Sequence, residues 1–185
     1  MQNRVLPKPM SMQMTVSRAL ARRRSCRTEP LATPLTEREV ATLCWAGVGV
    51  TDRLGHRTSP STRNFKGIRL YMLDTQGVWQ YDETKHRLIH RVSFDVRAAS
   101  TVGQEALVTV APVTFVMVGD KERAKRARAS ALYIDSGVVV ENLYMAATAL
   151  GLRSVVRASF DHRILREAMD LPETMEPMLV YTVMH

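Results

Sequence analysis

The stretch RRRSCR, residues 22–27, concentrates positive charge around one small hydroxyl group near the N-terminus. Guanidinium groups donate paired hydrogen bonds to phosphate oxygens, and a serine hydroxyl adds a short neutral donor without crowding. A second basic run, KERAKRARAS at 121–130, has five Lys or Arg against one Glu. Such runs bind nucleic acid, a membrane surface or a small phosphate, although a solvated helix face is the commonest explanation for either run by itself.

Two further polar stretches contain groups that suit ligand binding. RTSPSTRN, residues 57–64, belongs to an irregular segment that Pro60 prevents from continuing as a helix, and such loops often carry binding groups. Asn64 can offer both a carbonyl oxygen and amide hydrogens. VVRASFD, residues 155–161, leaves a strand-like run through a turn. In isolation, the first of these stretches indicates an ordinary turn, and the two valines of the second indicate core strand.

The motifs of several enzyme classes are absent from the sequence. It contains no phosphate-binding loop, no zinc-protease motif, no serine-hydrolase elbow and no paired Cys-x-x-Cys. GVGVTD, residues 47–52, follows a helix instead of a strand, so we reject it as a dinucleotide fingerprint. The five histidines lack metal-ligand spacing, and the two cysteines indicate neither a disulfide framework nor a metal site. We therefore expect no metal.

Length and composition indicate one folded domain. The chain has 185 residues, of which 45% are hydrophobic and 24% charged, as is typical of globular proteins. This length suits one sizeable core, so we predict a single domain over 1–185, with residues 1–11 as an extended arm that stays mobile unless it docks. No apolar run approaches the roughly 20 residues that cross a bilayer, and residues 1–30 lack a signal-peptide core. A cytoplasmic protein is expected.

The spacing of apolar residues predicts the elements that position these stretches. Helices are predicted within 15–24, 34–49, 133–151 and 161–171. Thr36 with Glu39 forms a capping box, Gly47 and Gly49 end that helix, and Gly151 ends the long buried one. Strands are predicted at 68–73 and 78–81, which form a hairpin, and at 112–119, 152–158 and 178–184. Because helices and strands are interspersed, we predict an α+β fold with a mixed or antiparallel sheet.

The three polar stretches, taken in order with the final apolar strand, resemble the flavin-dependent nitroreductase family. The similarity runs from about residue 12 to the end of the chain. Its nearest likeness is to the short branch with RTAPSA.N-like loops, akin to the SagB-type dehydrogenases. The resemblance implies a nitroreductase-like fold, bound FMN, and a homodimer with two FMN sites at the subunit interface.

The resemblance also implies roles for particular residues. The family's Arg-x-Ser-x-Arg or Lys pattern, which holds the FMN phosphate, falls on Arg23, Ser25 and Arg27, with Arg24 between them. The loop that reaches the flavin from the partner subunit corresponds to Pro60, Ser61, Thr62 and Asn64. The turn that places backbone amides against the pyrimidine edge and N5 of the flavin corresponds to Val156, Arg157, Ala158 and Ser159. Many family members have glycine at the position of Ser159.

The implied activity is that of an FMN-dependent oxidoreductase. NADH or NADPH would reduce FMN by hydride transfer to N5, and a nitroaromatic, quinone or similar small electron acceptor would then take the nicotinamide's place in a ping-pong cycle. No side chain need act as an acid or base, because the cofactor carries the chemistry. No nucleic-acid or membrane partner is expected.

Alternatives remain open from the sequence. The same FMN site suits a SagB-type dehydrogenase that oxidises an azoline or similar substrate, or a flavin carrier without turnover. A basic nucleic-acid-binding module is a further alternative, although the basic runs lack interleaved aromatic residues. Many nitroreductases end in a basic segment that closes over the phosphate, whereas His185 directly follows the last predicted strand. Two alternatives follow: part of the phosphate site is missing, or Arg22 or Arg24 substitutes for it.

Overall fold

The computed structural model describes residues 2–28, 31–125 and 127–185. Its α-helices are α1 (Val16–Arg22), α2 (Glu37–Val48), α3 (Glu105–Val110), α4 (Ala129–Ala149) and α5 (His162–Ala168). Its strands are β1 (Arg4–Val5), β2 (Ile68–Asp74), β3 (Gly77–Asp82), β4 (Arg87–Val92), β5 (Val113–Asp120), β6 (Arg153–Arg157) and β7 (Met175–Met184). Short 3-10 helices cover Thr62–Asn64 and Arg97–Ser100. The predicted α+β class is confirmed.

The strands form one antiparallel sheet in the order β1-β4-β3-β2-β5-β7-β6. Every residue of β5 is buried, as its continuous apolar run predicts for a central strand. β6 lies at the edge and pairs with β7, so that Val156 faces Tyr181 in the register. The stretch that leaves β6 therefore emerges at the end of the sheet farthest from β1.

Helices cover the sheet from both sides. Residues of β2 alternate between the faces: Leu70 belongs to the core under α2 and α4, while Tyr71 belongs to a second cluster with α5. Leu143 of α4 is fully buried in the first cluster, and Leu165 of α5 is fully buried in the second. The long helix and α5 thus lie on opposite faces.

Helix ends follow the local sequence signals. The Thr36 side chain accepts a hydrogen bond from the Glu39 N–H at 3.2 Å, and the Glu39 carboxylate accepts one from the Thr36 N–H at 2.7 Å, which confirms the capping box. Asp161 caps α5 by accepting from the Ile164 N–H at 2.9 Å. Gly151 follows α4 with a φ of +75°, in the left-handed region that glycine adopts most readily.

The N-terminal arm docks on the sheet. β1 pairs with β4, with Arg4 opposite Leu88. The Arg4 guanidinium lies 3.8 Å from the centroid of the Trp79 ring and 3.2 Å from a carboxylate oxygen of Asp74. These contacts hold the segment that the sequence predicted would be mobile without a docking site.

Three sequence predictions require correction or extension. α2 continues through Gly47 to Val48, because the missing Cβ lets the helix pack closely: a Cβ on Gly47 would lie 3.3 Å from Leu70 Cδ2. The described residues of the basic run 121–130 form turns until α4 begins at Ala129, instead of a solvated helix. Between 82 and 130, the sequence predicted neither β4 nor α3. Glu29, Pro30 and Arg126 lie outside the described residues.

Within the described ranges, no helix combines the length and the apolar character that crossing a membrane requires.

Candidate functional site

The arginine stretch 22–27 begins in the last turn of α1 and continues into the extended segment that follows. Arg23 is the C-cap residue, and Arg24 donates from Nη1 to the carbonyls of Ala21 at 3.0 Å and Arg23 at 2.7 Å. The backbone N–H of Cys26 donates to the Ser154 carbonyl at 2.9 Å, which fixes the segment beside β6. The arginine stretch 22–27 and the stretch 155–161 are therefore neighbours.

The cations of this stretch have no carboxylate partner among the described residues. None of the arginines at positions 22, 23, 24 and 27 forms an ion pair within those ranges, whereas Arg57, Arg69 and Arg87 do. Arg27 is exposed and makes no hydrogen bond to the described part of the chain. The positive charge at this end of the sheet is uncompensated, which favours an anionic ligand.

Tyr144 of α4 connects the arginine stretch to the turn after β6. Its hydroxyl oxygen accepts a hydrogen bond from the Val156 N–H at 3.0 Å and lies 2.8 Å from Ser25 Oγ. The Arg23 guanidinium lies 5.1 Å from the centroid of the same ring. Tyr144 is only 4% exposed. One buried hydroxyl therefore sets the distance between two stretches that the sequence separates by more than a hundred residues.

A second tyrosine supports Tyr144 from the sheet. The rings of Tyr144 and Tyr181 meet edge to face, with centroids 4.9 Å apart. The Tyr181 hydroxyl donates to Ser154 Oγ at 2.6 Å in β6. Edge-to-face packing holds the Tyr144 ring in one orientation, so its hydroxyl is presented to Val156 in a fixed position.

The turn after β6 presents backbone donors. Ala158 and Ser159 are exposed, and their N–H groups make no hydrogen bond to the described residues. The Ser159 carbonyl accepts from the Val102 N–H at 2.9 Å, which anchors the far side of the turn. The turn can therefore donate two backbone hydrogen bonds to a ligand without breaking a contact of its own.

The Arg157 side chain points back into the protein. It is 6% exposed, and its Nη2 donates to Thr182 Oγ1 at 2.6 Å, while Nε and Nη1 are buried without a partner in the described part of the chain. Burial, and secondarily the charge of Arg27, lowers the pKa of the Arg157 guanidinium to about 10. At neutral pH the group remains charged. It adds to the positive potential at the edge of the sheet.

The predicted loop 60–64 is held by a carboxylate that the sequence did not reveal. Asp135, 6% exposed in α4, accepts hydrogen bonds from the Thr62 N–H at 3.0 Å and from Thr62 Oγ1 at 3.0 Å. Ser61 Oγ accepts from the Lys66 N–H at 3.0 Å. The exposed Asn64 has a φ of +56°. Its side chain makes no hydrogen bond to the described residues and can contact a ligand.

Within one chain, this loop lies away from the arginine stretch. Asp135, which holds the loop, and Tyr144, which holds the arginine stretch, are nine residues apart on α4. At the rise of an α-helix, they are separated by about 14 Å along its axis. The structure brings together the arginine stretch 22–27 and the turn after β6. It places the loop 60–64 at the other half of α4.

Asn142 ties α4 to the start of this loop. Its Nδ2 donates to the carbonyls of Ala46 at 3.1 Å, at the end of α2, and of Thr58 at 3.2 Å. Both acceptors are backbone groups. Asn142 therefore fixes the loop's origin against the long helix.

Comparisons with known proteins identify the family of this chain. The Nitroreductase family model matches residues 20–184, so the chain belongs to the nitroreductase family. This family is one of oxidoreductases, and the chain is accordingly an enzyme of that class. The predicted family resemblance is confirmed.

Individual relatives cover most of the chain. A nitroreductase homologue from Methanocaldococcus jannaschii is 28% identical over 176 residues, which cover 89% of this chain and 87% of the homologue. The crystal structure of a homologue from Ralstonia eutropha JMP134 superposes with a TM-score of 0.92 at 30% identity, covering 99% of this chain and 89% of that one. A Desulfovibrio desulfuricans homologue, crystallised with FMN, has a TM-score of 0.68 at 20% identity, covering 94% and 87%.

Proposed function

We propose that the protein is an FMN-dependent oxidoreductase. The observation that carries the proposal is a cluster of arginines with no carboxylate partner among the described residues, joined through Tyr144 to a turn with two backbone N–H groups that are unbonded within the same ranges. A dianionic phosphate requires several fixed donors, and a flavin edge requires backbone or amide donors in its plane. The residues present fit both parts of the FMN molecule.

Each group of residues has its own part in binding. Arg23 and Arg27 would hold the phosphate, with Ser25 as the neutral donor, while Ala158 and Ser159 would donate from their backbone to the flavin ring. Bound FMN would supply two-electron chemistry between NADH or NADPH and a nitroaromatic, a quinone or a similar acceptor. The protein side chains bind and orient the cofactor, and none of them is required as a proton donor.

A steady-state assay tests this activity. The FMN-loaded protein is expected to oxidise NADH or NADPH with menadione as acceptor, and varying both substrates should give the parallel double-reciprocal lines of a ping-pong cycle. Nicotinamide oxidation that requires added acceptor would support a reductase. If neither nicotinamide is consumed while FMN remains bound, the reductase proposal is wrong.

We further propose that two copies pair through the exposed face of α4. Ile134 is 66% exposed and Tyr133 47% exposed, and the Cβ position of Gly137 has no heavy atom within 4 Å. Such positions share one face of a helix. Ile134 and Thr62 line the same cavity of about 380 Å³, so a partner packed on α4 would also lie beside the loop that carries Asn64.

Replacing Ile134 by Glu is expected to weaken this dimer, because a buried unpaired carboxylate is costly at an interface. Light scattering after gel filtration at micromolar concentration should show the wild type as a dimer and Ile134→Glu shifted towards the monomer mass. Ile164→Glu on α5, where Ile164 is 47% exposed, is the matched control and should remain dimeric. A dimer of unchanged stability in Ile134→Glu would contradict the interface.

A further inference from the structure

A second cavity lies on the opposite face of the sheet from α4. Its volume is about 370 Å³, and its walls include Arg69, Tyr71, Gln80 and Arg91. Pockets that bind small molecules occupy roughly 300 to 1,000 Å³. Tyr71 pairs with Gln80 across the strands, and residues two apart on β2 share a face, so the register places three of these side chains together.

Arg91 of β4 faces this cavity next to a β-bulge. In β4, Val92 pairs with Val78 and His90 pairs with Trp79, so Arg91 opposes no residue of β3. Ile89 pairs with Gln80, so Arg91, two residues further along the strand, lies on the same face as Gln80. The Arg91 guanidinium donates from Nε at 3.0 Å and from Nη2 at 2.5 Å to Gln80 Oε1. The guanidinium is therefore held beside the buried amide, on a residue that is exposed as a whole.

The cavity wall is rich in donors. Tyr71 is 3% exposed, and the one hydrogen bond of its hydroxyl to a described residue is to the weak acceptor Met175 Sδ at 3.8 Å. Gln80 is 8% exposed, and with its oxygen occupied by Arg91 it has only its NH₂ to offer. A ligand here must bring acceptors.

The charges at the cavity favour an anion. Asp120 accepts from Arg69 Nε at 2.7 Å and balances its charge, whereas Arg91 has no carboxylate partner among the described residues. Asp170 also lines the cavity but is exposed at its rim. Asp170 offsets one positive charge at the exposed edge of the cavity, while Arg91 supplies the positive charge next to Tyr71.

The remaining wall is apolar and comprises Met169, Leu171, Pro172 and Met175. We propose that this cavity binds a small organic carboxylate, with the carboxylate group at Arg91 and Tyr71 and the apolar body against the two methionines. This cavity is separate from the proposed FMN site beside β6. β2 is three strand spacings from β6, which is about 14 Å.

Methionine-methyl NMR with benzoate as the probe tests this site. Titration of the protein labelled with ¹³C at the methionine methyls is expected to shift the Met169 and Met175 signals in a saturable way, because the benzoate ring would lie against them. Benzamide, which has the same shape without the charge, should leave these signals in place. The readout does not depend on bound flavin or on turnover, so its failure would leave the proposed enzyme activity unaffected.

Substitutions separate specific binding from general attraction. Arg91→Gln should weaken benzoate binding by at least about tenfold, and Tyr71→Phe should weaken it in the same direction. Arg87→Gln removes a charge from the same strand, at a residue paired with Asp82, and should leave the affinity unchanged. The proposal is overturned if benzoate shifts only methionines on the other face, such as Met145, if benzamide binds equally well, or if both arginine substitutions have the same effect.

Discussion

Replacing Arg23 by Ala is expected to lower the affinity for FMN by about 10- to 100-fold. A charge-assisted hydrogen bond contributes about 1.5 to 3 kcal/mol, and each 1.4 kcal/mol is about a factor of ten in the dissociation constant. Arg23 makes no ion pair with the described residues, so its removal leaves no buried carboxylate unpaired. The dissociation constant can be measured by the quenching of flavin fluorescence on binding.

Two variants control for charge alone. Arg18→Ala removes an exposed arginine from the first turn of the same helix, α1, and should leave FMN affinity within a factor of about two. Arg23→Lys keeps the positive charge but lacks the planar guanidinium group. Its affinity for FMN should lie between those of Arg23→Ala and the wild type. Equal losses of affinity in Arg18→Ala and Arg23→Ala would show that only the overall charge matters.

Tyr144→Phe is expected to weaken FMN binding about tenfold while the protein remains folded. The substitution keeps the ring but leaves the Val156 N–H without its acceptor and Ser25 without its partner, since both depend on the Tyr144 hydroxyl. Losing the partner of a buried donor costs about 1 to 3 kcal/mol. Part of this cost should appear in thermal unfolding, and part in FMN affinity, because Val156 precedes the turn that would contact the flavin.

Tyr181→Phe is the matched control for Tyr144→Phe. It removes the hydrogen bond to Ser154 from the neighbouring ring but touches neither the arginine stretch nor the turn after β6. We expect a comparable loss of stability with little change in FMN affinity. If the two variants lose FMN in proportion to their loss of stability, Tyr144 is simply a core residue.

Local signals predicted most of the fold. The capping box at Thr36, the cap at Asp161 and the left-handed Gly151 depend on contacts within a few residues, so sequence alone could predict these ends. The prediction of β5 as a buried strand similarly required only the composition of its hydrophobic run. These elements account for the correct α+β assignment.

Elements whose stability comes from distant contacts were missed. α3, with the sequence EALVTV, has three β-branched residues that disfavour a helix, and its buried Leu107 packs with Val155 of β6. β4 alternates poorly because its bulge leaves Arg91 without a partner in β3 and breaks the two-residue alternation of side chains after His90. In both cases tertiary packing overrides local preference.

The site was predicted as three motifs but not as an arrangement. Tyr144 occupies an apolar helical position, and no local pattern shows that its hydroxyl joins Ser25 to Val156. Asp135 similarly gives no sequence signal of its bonds to Thr62. The inward direction of Arg157 follows from the register of β6 against β7, which only the folded sheet determines.

The most direct test of the central claim is the visible absorption spectrum of the purified protein after incubation with FMN and gel filtration, with the eluted mass recorded. The proposed function predicts a yellow protein that retains about one FMN per chain and elutes at the mass of a dimer. A colourless protein that releases all added FMN would contradict the assignment of the arginine cluster to the cofactor phosphate.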